Sequence, residues 1–235
     1  MATRVVLVPG FMQREDAWRP VAELLPERYP SVLLDHREHT YDGRLAEIAE
    51  VGEGAVLCGY SLNGRLALRA ALHGPGRHPA VVLVGATAGL EDPAARAARR
   101  QDDERLASWM EGAAIEDVVA LWERQPLFAD QSDVLVDEQR AGRLSHDPRE
   151  LASLLRSAGQ GVLEPVWDDL TGLRSPLLAL AGSRDGRYAE AARRMADAAP
   201  AGHWRTVEQA GHAAHIQRPE IVARLVVDFL DEHLG

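Results

Sequence analysis

An open α/β fold, with a mostly parallel β-sheet flanked by helices, is what the sequence predicts, on three observations. Short Val- and Leu-rich runs recur along the chain, each closing on Gly, Asp or Ser; amphipathic helical segments alternate with them; and one long central stretch has helical pattern without a strand. Strands buried on both faces read as continuous apolar runs, which is the pattern of a parallel sheet. The intervening helices supply the crossovers that such a sheet needs. A chain of 235 residues holds one sizeable core but not two, so a single domain over residues 1–235 is expected.

Taken in order, strands are expected at Arg4 to Val8, Ser31 to Asp35, Ala55 to Gly59, Ala80 to Val84, Leu177 to Ala181 and His203 to Glu208. Helices are expected at Trp18 to Leu25, Arg44 to Val51, Asn63 to Leu72, Tyr188 to Ala198 and Pro219 to Leu234, the last with proline in its first turn, where a missing amide costs nothing. From about 89 to 165 the Ala-, Arg- and Glu-rich segments read as a helical cap inserted into the sheet domain.

Composition removes several function classes. The formal net charge of −10 argues against nucleic acid or an anionic membrane as partner, since phosphate binding draws on a positive field. All 26 basic residues other than histidine are arginine, so lysine Schiff-base chemistry is excluded and the cations serve recognition of anions or solvation. The single cysteine, Cys58, can form neither an internal disulfide nor a thiolate metal site. No run approaches the roughly 18 apolar residues of a membrane span, and the N-terminal apolar run is short and ends at Pro9-Gly10, so a cytoplasmic protein is expected.

The run Ala55-Val56-Leu57-Cys58-Gly59-Tyr60-Ser61-Leu62-Asn63-Gly64 reads as a strand, a tight turn and a helix start with serine at the corner. Small residues are needed there because strand and helix nearly touch. Gly59 satisfies that need; Asn63 stands where the G-x-S-x-G pattern has its second glycine, followed by Gly64. An acid and a histidine follow in the order that an α/β-hydrolase fold imposes. The run Leu177 to Asp185 delivers Asp185 at the end of a buried strand, and the last strand runs into Ala210-Gly211-His212. Ser61, Asp185 and His212 are therefore the candidate catalytic residues, His212 as base and Asp185 as its orienting acid, with Asp35 and Glu208 as fallback acids.

An oxyanion site needs two backbone amides, expected from Leu62, just after the serine, and Phe11, in the loop after the first strand where Gly10 permits close approach. His212 and His215 form a His-x-x-His pair without a third ligand or helical Glu, so no metal is expected. The glycines at 52, 54 and 59 precede or interrupt a strand instead of opening a helix; no dinucleotide or other cofactor is implied.

Several motifs together resemble one family. Gly-Tyr-Ser-Leu-x-Gly-Arg at 59–65, Gly-Leu-Glu-Asp followed by Arg96, Arg99 and Arg100, Trp122 with Gln125-Pro126-Leu127-Phe128, and Ala-Gly-His-x-x-His at 210–215 are similar to those of the menaquinone-pathway synthases that make 2-succinyl-6-hydroxy-2,4-cyclohexadiene-1-carboxylate. The resemblance covers most of the chain after residue 55. It implies an α/β-hydrolase relative in which a serine, activated by its His-Asp pair, removes a ring proton and pyruvate leaves. It also implies that Arg65, Arg99 and Arg143 bind carboxylates of a small polycarboxylate substrate, and that Tyr60, Trp122 and Phe128 form its pocket. Arg65 lies one helical turn beyond Ser61 and can share its face. Trp122 and Phe128 suit a pocket wall and a cap core alike.

Two departures stand out: Pro9 where the family usually has His, and Asn63 where it has Gly; the segment His36-Arg37-Glu38-His39 also lacks the family's glycine-rich loop. The second reading is a serine hydrolase acting on a carboxylic ester or a carbon-carbon bond, and the third a binding module that keeps the fold without turnover. An arginine-lined pocket closed under the cap favours the first, an apolar open one the second. No obligate protein partner is implied.

Overall fold

The computed structural model describes residues 2–235. Strands β1 (Val5–Val8), β2 (Ser31–Leu33), β3 (Val56–Tyr60), β4 (Val81–Val84), β5 (Leu177–Gly182) and β6 (Gly202–Val207) form one sheet in the order β2-β1-β3-β4-β5-β6. Every pairing is parallel, so all six carboxyl ends lie along one edge. Sites in open parallel sheets are assembled at that edge.

The helices are α1 (Arg19–Ala22), α2 (Tyr41–Val51), α3 (Ser61–His73), α4 (Pro93–Met110), α5 (Ile115–Glu123), α6 (Asp133–Leu144), α7 (Pro148–Ala158), α8 (Gly186–Ala198), α9 (Ala214–Gln217) and α10 (Pro219–Leu234). Alternation along the strands divides the core between two sheet faces. Val5, Val56, Val82 and Leu178 pack with Trp18, Val21, Val226 and Phe229 under α1 and α10. On the other face, Val6, Val8 and Leu57 meet Ile48 of α2 and Leu66 of α3. Further along that face, Leu83 and Ala179 meet Leu68 of α3 and Ala192 and Met195 of α8.

Helices α4 to α7 occupy the stretch between β4 and β5 where no strand was expected. Side chains of Asp92, Ser132 and Asp147 cap α4, α6 and α7 by accepting from backbone amides, which sets where each begins. Met110, Val118, Leu151 and Leu154 of this insertion share one apolar cluster with Leu62 and Leu66 of α3, so the cap has no core of its own.

Three elements differ from expectation, and one of them, α2, starts at Tyr41 instead of Arg44. The segment Trp18 to Leu25 is not one helix: a 3-10 turn over Glu15–Trp18 hands over to the single turn of α1, with Pro20 at its start. Proline lacks the amide that a continuous helix would need at that point. Strand β2 stops at Leu33 instead of Asp35, although the Leu34 amide still donates to the Leu7 carbonyl at 3.0 Å.

Candidate active site

The turn from β3 into α3 holds Ser61 at φ 51°, in the left-handed region. Two glycines permit it. A Cβ on Gly59 would lie 2.8 Å from the Gly64 Cα, and one on Gly64 would lie 2.8 Å from the Gly59 carbonyl oxygen. The close approach of strand and helix thus falls on Gly64, one residue beyond the expected place, which leaves position 63 free for a side chain. Asn63 is fully buried, and its Nδ2 donates to the Pro9 carbonyl at 2.6 Å.

Ser61 Oγ lies 3.0 Å from His212 Nε2, and His212 Nδ1 lies 2.7 Å from Asp185 Oδ2. The three residues come from the ends of β3, β5 and β6, which the parallel order brings to one edge. Gly85, at φ 57° after β4, makes room for the imidazole: a Cβ there would lie 3.1 Å from His212 Cε1. Tyr188 covers the other side, its ring 4.4 Å from that of His212. With Asp185 accepting the Nδ1 proton, Nε2 is left free to take the serine proton. Asp35 and Glu208 are exposed, and neither bonds to His212.

Phe11 and Leu62 both line the cavity above Ser61. Close packing of Gly10 on the Tyr60 ring brings the Phe11 loop in, since a Cβ on Gly10 would sit 2.5 Å from Tyr60 Cδ1. Neither amide has a side-chain acceptor, and Leu62 opens a helix whose first amides have no partner within the helix.

The cavity encloses about 320 Å³ between the sheet edge and the cap. Of the residues expected to bind substrate, it brings together Tyr60, Arg65, Arg99, Trp122 and Phe128. Arg65 is buried, its Nε has no partner, and its one side-chain hydrogen bond among the described residues runs from Nη2 to the Ala158 carbonyl at 3.4 Å. Burial lowers its pKa to about 10, so the guanidinium is cationic at neutral pH and short of counter-charge. Arg99 is held by Asp103, Nε to Oδ1 at 2.8 Å, and burial raises the pKa of that carboxyl. Trp122 packs on Phe11 and on Phe128, with ring centroids 5.1 and 5.6 Å apart, and so serves pocket wall and cap core at once.

Arg143 is the exception. It is buried in an ion pair with Glu123 at 3.0 Å and a bond to Gln139 Oε1 at 2.9 Å. It lines a separate cleft of about 280 Å³ with Met12, Gln13 and Ile216, not the cavity over Ser61. Sequence reasoning also passed over Tyr188, Gln160 and Asp103, which line the cavity. Tyr188 lies three residues beyond Asp185, the one signal that placed it near the site.

His215 is not near a set of ligands. It is fully buried against Tyr60 and Trp18, with ring centroids 4.2 and 4.4 Å away, and desolvation lowers its pKa to about 3. Among the described residues no cluster of three or more His, Cys, Asp or Glu is arranged to hold a metal ion.

Residues 5–225 match the model of the alpha/beta hydrolase family. The 2-succinyl-6-hydroxy-2,4-cyclohexadiene-1-carboxylate synthase of Serratia proteamaculans is 30% identical over 96% of this chain and 92% of its own. That of Yersinia enterocolitica is 30% identical over 97% and 86%. Among solved structures, MenH from S. aureus superposes with a TM-score of 0.93 at 24% identity, covering 100% of this chain and 96% of that one. The chain thus belongs to the alpha/beta hydrolase family and, within it, to the 2-succinyl-6-hydroxy-2,4-cyclohexadiene-1-carboxylate synthases.

Proposed function

We propose that the protein eliminates pyruvate from 2-succinyl-5-enolpyruvyl-6-hydroxy-3-cyclohexene-1-carboxylate to give 2-succinyl-6-hydroxy-2,4-cyclohexadiene-1-carboxylate, a lyase step of menaquinone biosynthesis, with Ser61 as base. His212 takes the Ser61 proton, and the Ser61 oxygen removes a ring proton. The electrons of that C–H bond form a double bond to the neighbouring ring carbon, the ring's existing double bond shifts one position towards the carbon that bears the enolpyruvyl oxygen, and the C–O bond there breaks; the departing enolate takes up a proton and becomes pyruvate. Asp185 holds the imidazole and stabilises its charged form. The amides of Phe11 and Leu62 face the oxygen on which negative charge develops.

The observation that carries this reading is Arg65, a buried and under-partnered guanidinium in the same cavity as Ser61. Such a group favours a carboxylate ligand, because a charge-assisted bond offsets its desolvation. Arg99 is the second cation available to a polycarboxylate, once it exchanges Asp103 for substrate. Arg143 is bonded to Glu123 and lines the adjoining cleft, from which its charge reaches Tyr60 of the cavity.

A serine hydrolase is the second reading, favoured by Asp102 and Asp103 in the cavity wall, which oppose the charge of Arg65 and Arg99. Pyruvate release from the enolpyruvyl substrate, run beside turnover of an activated ester, separates the two. The partner on this proposal is a small polycarboxylate and not nucleic acid, consistent with the net charge of −10. No helix among the described residues is long and apolar enough to cross a membrane, and we place the protein in the cytoplasm, where a lone buried thiol such as Cys58 stays reduced.

A further inference from the structure

The loop that carries the Phe11 amide is tied down by side chains that the reaction does not otherwise use. Pro9 and Gly10 share one peptide unit, and both poles of that unit are bonded. Its carbonyl, on Pro9, accepts from Asn63 Nδ2 at 2.6 Å; its amide, on Gly10, donates to Gln13 Oε1 at 2.9 Å. The carbonyl and amide of a trans peptide point in opposite directions, so the two side chains grip the plane from opposite sides and a flip would break both bonds. The next amide along the chain is that of Phe11.

Each grip is itself supported. Asn63 is fully buried in the first turn of α3, and its Oδ1 has no partner. A buried amide with one end unsatisfied costs stability, a cost that packing alone does not require at this position. Gln13, with Oε1 committed to Gly10, turns its amino group towards His215 Nε2 at 3.4 Å. His215 is enclosed by Trp18 and Tyr60, so its ring is a fixed, uncharged acceptor there. Position 63 can carry a side chain because Gly64 takes the close contact with β3, and Pro9, which donates no amide, still offers the carbonyl that Asn63 needs. Asn63, one of the departures from the family pattern, thus bonds to the backbone carbonyl at the site of the other, Pro9.

We infer that Asn63 and Gln13 are positioning residues that clamp the Pro9–Gly10 peptide and thereby aim the Phe11 amide at the charge developing over Ser61. This rests on the reading of Ser61 as the reacting group, whether base or nucleophile. Loss of either grip lets the plane rotate while the cavity that binds substrate keeps its walls, so the loss falls on kcat and not on KM.

The test uses the full chain with Asn63→Ala and Gln13→Met. Two rates are read: pyruvate release, and phosphonylation of Ser61 by an alkyl fluorophosphonate, whose phosphoryl oxygen occupies the oxyanion position as fluoride leaves. Each substitution is expected to lower both kcat and the phosphonylation rate by about 10- to 100-fold, the scale of a misplacement near 1 Å, with KM little changed. Gln13→Glu, which keeps an acceptor for the Gly10 amide, is expected to recover most of the rate. Unchanged rates, or a loss confined to KM, overturn the inference. Should Asn63→Ala fail to fold, the half-buried Gln13 variants decide alone. If the unaltered chain releases no pyruvate, the lyase reading fails, and the phosphonylation rates still decide this one.

Discussion

At Ser61 the backbone sits at φ 51°, a conformation that costs a residue with a side chain about 1–3 kcal/mol and persists only where its surroundings hold it. Gly59, Gly64 and the bonded chain through His212 to Asp185 hold it here. Asp185→Asn would leave His212 in the wrong tautomer with its geometry intact, and kcat is expected to fall by about 10⁴-fold in the pyruvate assay. Arg65→Gln keeps a polar side chain but removes the charge that meets substrate; KM should rise by about 10- to 150-fold, the range of a hydrogen bond to a charged group, and a change in kcat alone would count against its role. These two kinds of residue differed in legibility. Ser61, Asp185 and His212 each follow the end of a strand, and for Ser61 and Asp185 that end is marked by an apolar run. Arg99 pairs with Asp103 one turn on along α4, a spacing that the sequence does show, whereas Arg143 and Glu123 lie on different helices whose packing no spacing reveals.

The elements were read most easily where they are buried on both sides. Runs such as Val81–Val84 and Leu177–Gly182 have no solvent face to interrupt them, and their strands lie within a residue or so of the expected limits. The start of α2 at Tyr41 was not legible: its cap, Thr40 accepting from the Gly43 amide, sits in a polar stretch without periodicity. Nor was the substitution of Gly64 for the usual glycine at the elbow, since only the approach of α3 to β3 shows which residue must lack a Cβ. Gly64→Ala is expected to push α3 from β3, lower stability by about 1–3 kcal/mol as overpacking does, and slow pyruvate release; denaturant unfolding and the same assay measure both. An unaltered midpoint would mean the elbow has slack that its 2.8 Å contact denies.

Across the whole molecule, three histidines are held neutral by burial: His36 with a pKa lowered to about 4, and His146 and His215 with pKa values lowered to about 3. Each has the ordinary value of 6.5 when unfolded. Between these limits the unfolded chain binds more protons than the folded one, so stability is lost as pH falls below 6.5 and levels off only near the folded values, at up to about 1.4 kcal/mol per pH unit for each histidine. Thermal unfolding followed from pH 7 to pH 4 should show a falling midpoint, and His215→Phe should flatten the slope. A slope that His215→Phe leaves unchanged would mean that this ring already titrates in the folded protein. The histidines lie in the β2–α2 connection, the α6–α7 connection and α9, so the acid-sensitive points are distributed over sheet and cap.

The most direct measurement on the molecule's chemistry is release of pyruvate from 2-succinyl-5-enolpyruvyl-6-hydroxy-3-cyclohexene-1-carboxylate by the purified protein, beside Ser61→Ala and an activated ester. Release that falls by about 10²–10⁴-fold in Ser61→Ala, with little turnover of the ester, is the predicted result, because a positioned base contributes that much. Ester turnover without pyruvate release, or pyruvate release that Ser61→Ala leaves intact, would contradict the assignment of Ser61 as the base of a lyase.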